Sequence, residues 1–475
     1  MADAQRLAKV PLAVDLDGTL IRCDVFLEAM LRLAFTKPWK LPLLLLWLAQ
    51  GRAHAKMKLA AEFPPDPTTL PYDERLIEWL RDERAQGRTI ALATASDRKA
   101  AQAVADHLDI FDAVFASDGK INLKSRRKAE ALAAAYPRGF SYAGNERADV
   151  KVWSAAKSAV VANAHPRLAL RASARFDVER NFPAIGGAFR GLAKAIRPQQ
   201  WAKNFLVFLP MLVGQGWGDV AAWQEAWLAF LALSFAASGL YLINDISDIP
   251  ADRRHPRKRM RPFASGAASP AAGLPLAVLM IAAGIGFGVA SGAIVPLIAY
   301  ILTVTVYTFA LKRVALLDVF ILAGLYTLRI VIGGVASGYE ASAWLLAFAG
   351  FFFLSLALVK RAAEVDALKT DLTGRGYRAG DGPMLKRFGV GAAMVSALVL
   401  ALYLESAENI SRYAEPAFLW ALPGVVVFWL ARVWLKVDRG EMHDDPVMFA
   451  LKDRASWGVA AFAACAFAAA VLWPA

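Results

Sequence analysis

The chain has 475 residues, 57% of them hydrophobic and only 20% charged, which is too apolar for an ordinary soluble enzyme and long enough for two domains. Its formal net charge of +13 is compatible with nucleic acid, but Lys and Arg cluster in short loops between apolar runs, the topology signal of a membrane protein, so no nucleic-acid partner is expected. The two cysteines, Cys23 and Cys465, lie one in each half and exclude a disulfide framework and a zinc-ligand spacing, and the five histidines form no cluster.

Residues 1–9 hold no charged, apolar and cleavable leader and pass directly into a strand-like segment, so the first part of the chain is expected to stay in the cytoplasm. Short apolar runs at 11–14, 89–94, 113–115, 140–143 and 158–161 alternate with helical patterns, the mark of a parallel α/β sheet. Between the first two runs lies an insertion, about 23–72, with Trp39-Lys40-Leu41-Pro42, four leucines and Trp47. It is too short to span a bilayer and reads as a helical cap with a face for the membrane. Residues 183–200 interleave Gly186, Gly187, Phe189, Leu192 and Ile196 with Arg190, Lys194 and Arg197, which suits either an amphipathic connector on the inner leaflet or a plain linker.

From Trp201 onward nine apolar stretches are candidate spans: about 203–215, 226–246, 271–290, 293–311, 315–337, 342–360, 388–406, 416–435 and 457–474, the first being short. With Lys203 on the cytoplasmic side, the basic segments 253–261, 312–313, 360–387 and 432–454 all fall inside, and the outer loops hold almost no Lys or Arg beyond Arg412. An odd number of spans with Ala475 outside follows.

Asp15-Leu16-Asp17-Gly18-Thr19-Leu20 ends the first strand, where open α/β sheets place their sites. Here residues 8–182 resemble the haloacid dehalogenase superfamily of phosphotransferases. The resemblance implies a Rossmann-like domain in which Asp15 is the nucleophile that takes a phosphoryl group and Asp17 the acid/base. Thr94 matches the phosphate-binding hydroxyl, and Lys128 the phosphate-neutralising lysine, with Lys124 a weaker candidate. Mg²⁺ would be held by Asp15, Asp17, Asn145 and Asp149. The fourth motif departs from the family's Gly-Asp, having Gly144-Asn145 and then Asp149. An amide offers one neutral oxygen, so the metal is held more weakly or mainly by Asp149, and a catalytically dead domain is the rival reading.

After the second apolar stretch, Asn244-Asp245-Ile246-Ser247-Asp248-Ile249-Pro250-Ala251-Asp252 sets Asn244, Asp248 and Asp252 on one helical face with Asp245 beside them. Carboxylates so close repel unless a cation lies between them, and oxygen ligands favour Mg²⁺. The bland alternative is a solvated loop. The following Arg253, Arg254, Arg257, Lys258, Arg259 and Arg261 suit phosphates.

This half, about 201–475, resembles the UbiA superfamily of polyprenyl transferases, which implies an all-α integral membrane domain with nine transmembrane helices. Asn244, Asp245, Asp248 and Asp252 match its NDxxDxxxD motif. Arg197-Pro198-Gln199-Gln200-Trp201-Ala202-Lys203-Asn204, Tyr307 with Lys312 and Arg313, Asp318 with Arg329, and Lys360-Arg361-Ala362-Ala363-Glu364 resemble its decaprenyl-phosphate phosphoribosyltransferase branch. A second aspartate motif, usual in aromatic prenyltransferases, is replaced by Lys360, Arg361 and Glu364, with Asp366 and Asp371 off the expected spacing.

The resemblance implies a Mg²⁺-dependent transfer from phosphoribosyl pyrophosphate to a polyprenyl phosphate, with Asp245 and Asp248 central. Lys203, Asn204, Lys258 and Arg261 would hold the donor's phosphates, and Lys360, Arg361, Glu364, Tyr307 and Lys312 are further substrate candidates. Lys360 and Arg361 also read as inner-leaflet anchors, Tyr307 as an interface aromatic, and Asp318 with Arg329 as an intramembrane pair. Two rivals stand beside this: a prenyltransferase joining a polyprenyl diphosphate to an aromatic or other acceptor, with a phosphatase of unrelated or lost activity, and a non-enzymatic scaffold or transporter. The expected setting is the inner membrane, multi-pass; lipid length and oligomeric state are not legible.

Overall fold

The computed structural model describes residues 10–367, 376–406, 413–442 and 445–472; residues 1–9, Asp371, Arg412 and Ala475 lie outside them. The chain divides into two compact units, Met1–Ile196 with Tyr241–Ala277, and Arg197–Leu240 with Val278–Ala475. The first unit thus takes back a segment from the middle of the stretch read as the membrane domain.

In that unit a parallel sheet is built from Leu12–Val14 (β1), Ile90–Asp97 (β2), Ala113–Ser117 (β3), Ser141–Gly144 (β4), Ser158–Ala162 (β5) and Val178–Phe182 (β6), in the order β3-β2-β1-β4-β5-β6. Leu12 of β1 pairs with Ile90 on one side and Ser141 on the other. Every residue of β1 and β5 is buried, as the continuous apolar runs demand of strands covered on both faces. The sequence reading missed β6, because Val178-Glu179-Arg180-Asn181-Phe182 is an edge strand with exposed polar residues at its centre. The 23–72 insertion is helical, with Val25–Thr36, Leu41–Ala49 and Arg52–Glu62. The Asp24 side chain caps the first of these by accepting from the Leu27 amide at 3.0 Å. The connector carries the helix Ala188–Ile196.

Among the described residues seven helices are long and apolar enough to cross a membrane: Val220–Ser247, Pro270–Ala290, Leu317–Ser337, Ala343–Ala367, Ala379–Leu404, Pro416–Asp438 and Arg454–Leu472. They make this a multi-pass membrane protein. The other two expected spans are shorter: 293–311 is the helix Ile294–Phe309, of 16 residues, and 203–215 is the 3₁₀ run Pro198–Phe208 followed by Leu209–Val213. The 3₁₀ run packs hard against Leu317–Ser337: a Cβ on Gly333 would stand 1.9 Å from the Val207 carbonyl oxygen, so only glycine admits this approach.

Candidate active sites

The first strand delivers Asp15 to the carboxyl edge of the sheet, and the turn after it folds back so that Asp17 sits beside it. Gly18 makes the turn at φ +75°, and a Cβ there would lie 2.2 Å from Asn145 Nδ2. A cavity of ≈ 660 Å³ is lined by Asp15, Asp17, Lys128, Asn145 and Asp149, with Lys56 and Lys124 also on its wall. Five sequence-predicted residues thus meet where β1, β4 and the helix Arg126–Ala135 converge, and the weaker candidate Lys124 joins them. Asp15 Oδ1 accepts from Lys128 Nζ at 2.9 Å and from the Leu16 amide at 2.9 Å. Asp17 accepts from the Val25 amide at 2.9 Å and from Ser96 Oγ at 2.5 Å. Tyr142, which the sequence reading did not single out, donates to Asp149 Oδ1 at 2.9 Å and receives Lys128 Nζ at 2.7 Å. Asp149 Oδ2 accepts the Asn145 and Glu146 amides, each at 2.9 Å.

Thr94 is placed differently from expectation. It is fully buried in β2, its hydroxyl oxygen accepts the Ser96 amide at 3.0 Å, and the neighbouring Ala95 lines the cavity in its stead. Lys124 pairs with Glu146 at 2.9 Å.

Burial lifts the Asp17 carboxyl to about 6, with the Asp24 charge adding to it and the Ser96 and Val25 hydrogen bonds opposing. Burial and then the Asp15 charge lift Asp149 to about 6 against Lys128. Asp15 is also raised, by burial against Lys128. Three buried carboxylates around one cavity form a charge excess that a divalent cation relieves, and the oxygen-only donors Asp15, Asp17 and Asn145 fit Mg²⁺ with its retained waters. The outer wall of the cavity comes from Phe263, Gly266, Ala268, Ser269 and Pro270, which follow the second carboxylate motif.

That motif lies at the end of Val220–Ser247 and runs on into Ile249–Arg254. The Asp248 amide donates to Asn244 O at 2.9 Å and the Asp252 amide to Asp248 O at 2.8 Å, so the four-residue spacing survives the break at Asp248, just ahead of Pro250, and the predicted common face forms. A guanidinium stands where a metal was expected: Arg261 Nη1 donates to Asp245 Oδ1 at 3.1 Å and to Asp252 Oδ2 at 2.8 Å. Among the described residues no three His, Cys, Asp or Glu side chains gather into a ready metal cage. Asp252 is nevertheless lifted to about 6, by burial and by the Asp245 and Asp248 charges, with Arg261 opposing. The Lys258 amide donates to His255 Nδ1 at 3.3 Å in the next turn. Arg253 forms a fork with Glu28 at 2.8 and 2.6 Å while its Nε donates to Ala264 O at 3.0 Å.

The second unit has its own polar interior. Lys203 is buried, 2.9 Å from Asp445, and Lys360 lies 3.6 Å from the same carboxylate. Burial would raise Asp445, but Lys203 and Lys360 hold it below its ordinary value. The sequence reading missed Asp445; its signal was an Asp before Pro446, a helix N-cap, and its amide-capping contact with Val447 is present at 3.2 Å. Asn204 receives Arg329 Nε at 3.0 Å and donates to Ser234 at 3.0 Å, and Arg329 reaches Tyr300 at 3.0 Å. The expected Asp318–Arg329 pair does not form. Asp318 instead pairs with the fully buried Arg361 at 2.5 Å and receives the Tyr377 hydroxyl, while Arg361 also meets Glu364. Asp318 and Arg329 lie about three turns apart on the same helix, Leu317–Ser337, whereas Arg361 comes from Ala343–Ala367, so helix packing decides this exchange. Arg361 is therefore no exposed lipid anchor. Tyr307, half-buried, feels the Arg361 charge, and Lys312 is half-buried in the turn Leu311–Arg313.

Residues 206–457 match the profile described as the UbiA prenyltransferase family. A Sinorhizobium fredii protein designated y4nM is 38% identical over 471 residues, covering 98% of this chain and 91% of the other. Nodulation protein NoeC of Azorhizobium caulinodans is 34% identical over 277 residues, 56% of this chain and 89% of its own. Decaprenyl-phosphate phosphoribosyltransferase of Mycolicibacterium smegmatis is 39% identical over 183 residues, 37% of this chain and 57% of its own. With more than half of its length matched by the profile, the chain belongs to the UbiA prenyltransferase family.

Proposed function

We propose that this protein transfers phosphoribose from phosphoribosyl pyrophosphate to a polyprenyl phosphate in the inner membrane, and that its α/β unit, a cytoplasmic haloacid-dehalogenase-like phosphatase, then removes the 5-phosphate. The observation that carries the reading is the Asp15–Lys128 contact at 2.9 Å beside Asp17 in one cavity, on a chain that is 39% identical over 183 residues to a phosphoribosyltransferase. A nucleophile, its acid/base and a phosphate-neutralising cation are what a phosphomonoester needs.

In the soluble reaction Asp15 attacks phosphorus, and the sugar oxygen leaves with a proton from Asp17. Burial keeps that carboxyl near 6, a value suited to giving and taking a proton around neutrality. Water, losing its proton to Asp17, then attacks the phosphoryl group and frees Asp15. Lys128 balances the negative charge throughout. Mg²⁺, held by Asp15, Asp17, Asn145 and Asp149, supplies charge neutralisation when bound.

In the membrane reaction a lipid phosphate oxygen attacks the anomeric carbon as diphosphate departs. Asn244, Asp245, Asp248 and Asp252 would hold Mg²⁺, whose charge eases that departure. Lys258 and Arg261 receive the donor's phosphates, Arg261 exchanging its carboxylates for them, and Lys203, Asn204 and Lys360 serve phosphate binding in the second unit, while the fully buried Arg361 stays on Asp318. Holding both activities on one chain raises the concentration of the lipid product at the site that trims it.

The test is an assay of purified protein with labelled phosphoribosyl pyrophosphate, a polyprenyl phosphate and Mg²⁺, with lipid products read by mass spectrometry. Asp248→Asn should abolish transfer and leave phosphatase activity. Asp15→Asn should leave transfer and cause the 5-phosphorylated lipid to accumulate. Equal products from wild type and Asp15→Asn would show that the soluble site acts elsewhere. Because the matched family is one of prenyltransferases, the same assay with a polyprenyl diphosphate and aromatic acceptors distinguishes the second reading.

A further inference from the structure

Buried polar atoms are almost always paired, so an exception in a cavity wall marks a place for a group that a ligand brings. Within the α/β unit two buried side-chain atoms have no hydrogen-bond partner among the described residues, Arg22 Nε and Asn122 Oδ1. Both residues line the Asp15 cavity. One is a cationic donor and the other a neutral acceptor.

Apart from the exposed Arg52, the other cations on this wall, and Glu28, are engaged within the protein. Lys128 meets Asp15, Lys124 meets Glu146, Lys56 Nζ donates to Ala95 O at 2.6 Å, and Glu28 meets Arg253. The Arg22 side chain acts on the Asp73 charge, but its Nε has no hydrogen-bond partner; its backbone is fixed, the amide donating to Pro71 O at 2.9 Å and the carbonyl covered by Gly266. Gly266 has φ +74°, and a Cβ there would stand 2.2 Å from Arg22 O, so a larger residue must displace Arg22.

Resting on the reading of Asp15 as the phosphoryl acceptor, we propose that Arg22 binds a second anionic group of the substrate and that Asn122 takes one of its hydroxyls. The cavity then selects a polyhydroxylated phosphomonoester bearing another phosphate, and at ≈ 660 Å³ it has the size of an ordinary small-molecule site. The residue that seats Arg22, Gly266, comes from the segment that follows the membrane motif, so substrate choice in the soluble site depends on that segment.

The experiment uses the full chain with Asp15→Asn, which blocks turnover, and measures binding of ribose 1,5-bisphosphate and ribose 5-phosphate by calorimetry in Mg²⁺. The bisphosphate should bind about tenfold tighter or more, the range of a charge-assisted hydrogen bond. Adding Arg22→Gln should erase that difference and leave ribose 5-phosphate affinity unchanged; Gly266→Ala should narrow it in the same direction. Equal affinities before Arg22 is changed, or a uniform weakening of both ligands by Arg22→Gln, would overturn the assignment. Phosphate release by the chain with native Asp15 is measured alongside. Preference without release keeps the anion site and removes the phosphatase reading, whereas release without preference removes the anion site alone.

Discussion

The fork between Arg253 and Glu28 ties the cap to the segment after the carboxylate motif, and its loss should be felt by the whole α/β unit. The side chains are only 7% and 16% exposed, and all three guanidinium nitrogen positions are used, two on Glu28 and Nε on Ala264 O. Glu28→Ala leaves a mostly buried guanidinium without its counter-charge. Breaking buried pairs this way costs about 3–5 kcal/mol, and the residual exposure of Glu28 places this one near about 3. For a unit of this size that lowers Tm by about 6–12 °C. Arg253→Ala should cost a similar amount, while the double variant should lose about 2 kcal/mol less than the sum, since neither charge is then stranded. Arg253→Lys keeps the charge but loses the fork and should fall between. Thermal unfolding in detergent, followed by circular dichroism, measures all four. A Glu28→Ala protein melting within about 2 °C of wild type, or strictly additive losses, would refute the argument.

Other outcomes follow from the structure. Burial would raise the Glu179 carboxyl, but its hydrogen bonds to Arg88, Ser141 and Ser158 prevail and hold it at about 2. A depressed folded-state value contributes stability above the ordinary 4.5 that is lost as pH falls through 4.5 towards 2. Glu179→Gln should flatten the stability slope of the α/β unit in that window, and an unchanged slope in acid titration would count against the Arg88 network. If the basic loops lie in the cytoplasm, as the distribution of Lys and Arg leads one to expect, Arg257→Cys, on a chain with Cys23 and Cys465 replaced by alanine, should resist an impermeant thiol reagent in intact cells and react once the membrane is opened. Labelling in intact cells would reverse the topology.

Read from the sequence alone, the parallel sheet, the Asp15 and Asp17 pair with Lys128 and Asp149, and the common face of Asn244, Asp248 and Asp252 were legible. Each depends on local periodicity or on a short motif: apolar runs make buried strands, and a four-residue spacing makes a helical face even across Pro250. The edge strand Val178–Phe182 escaped because an edge has no need of apolar residues. Only tertiary packing decided which charge meets which. Arg361, and not Arg329, neutralises Asp318; Asp445 holds Lys203 from 242 residues away; and Arg261 takes the place between Asp245 and Asp252. A charge is compatible with any opposite charge that the fold brings near, so sequence names the candidates and the packing of backbone segments chooses among them. The same holds for the cavity wall, where Gly266 carries no chemical signal in the sequence and acquires its meaning only from the Arg22 carbonyl against it.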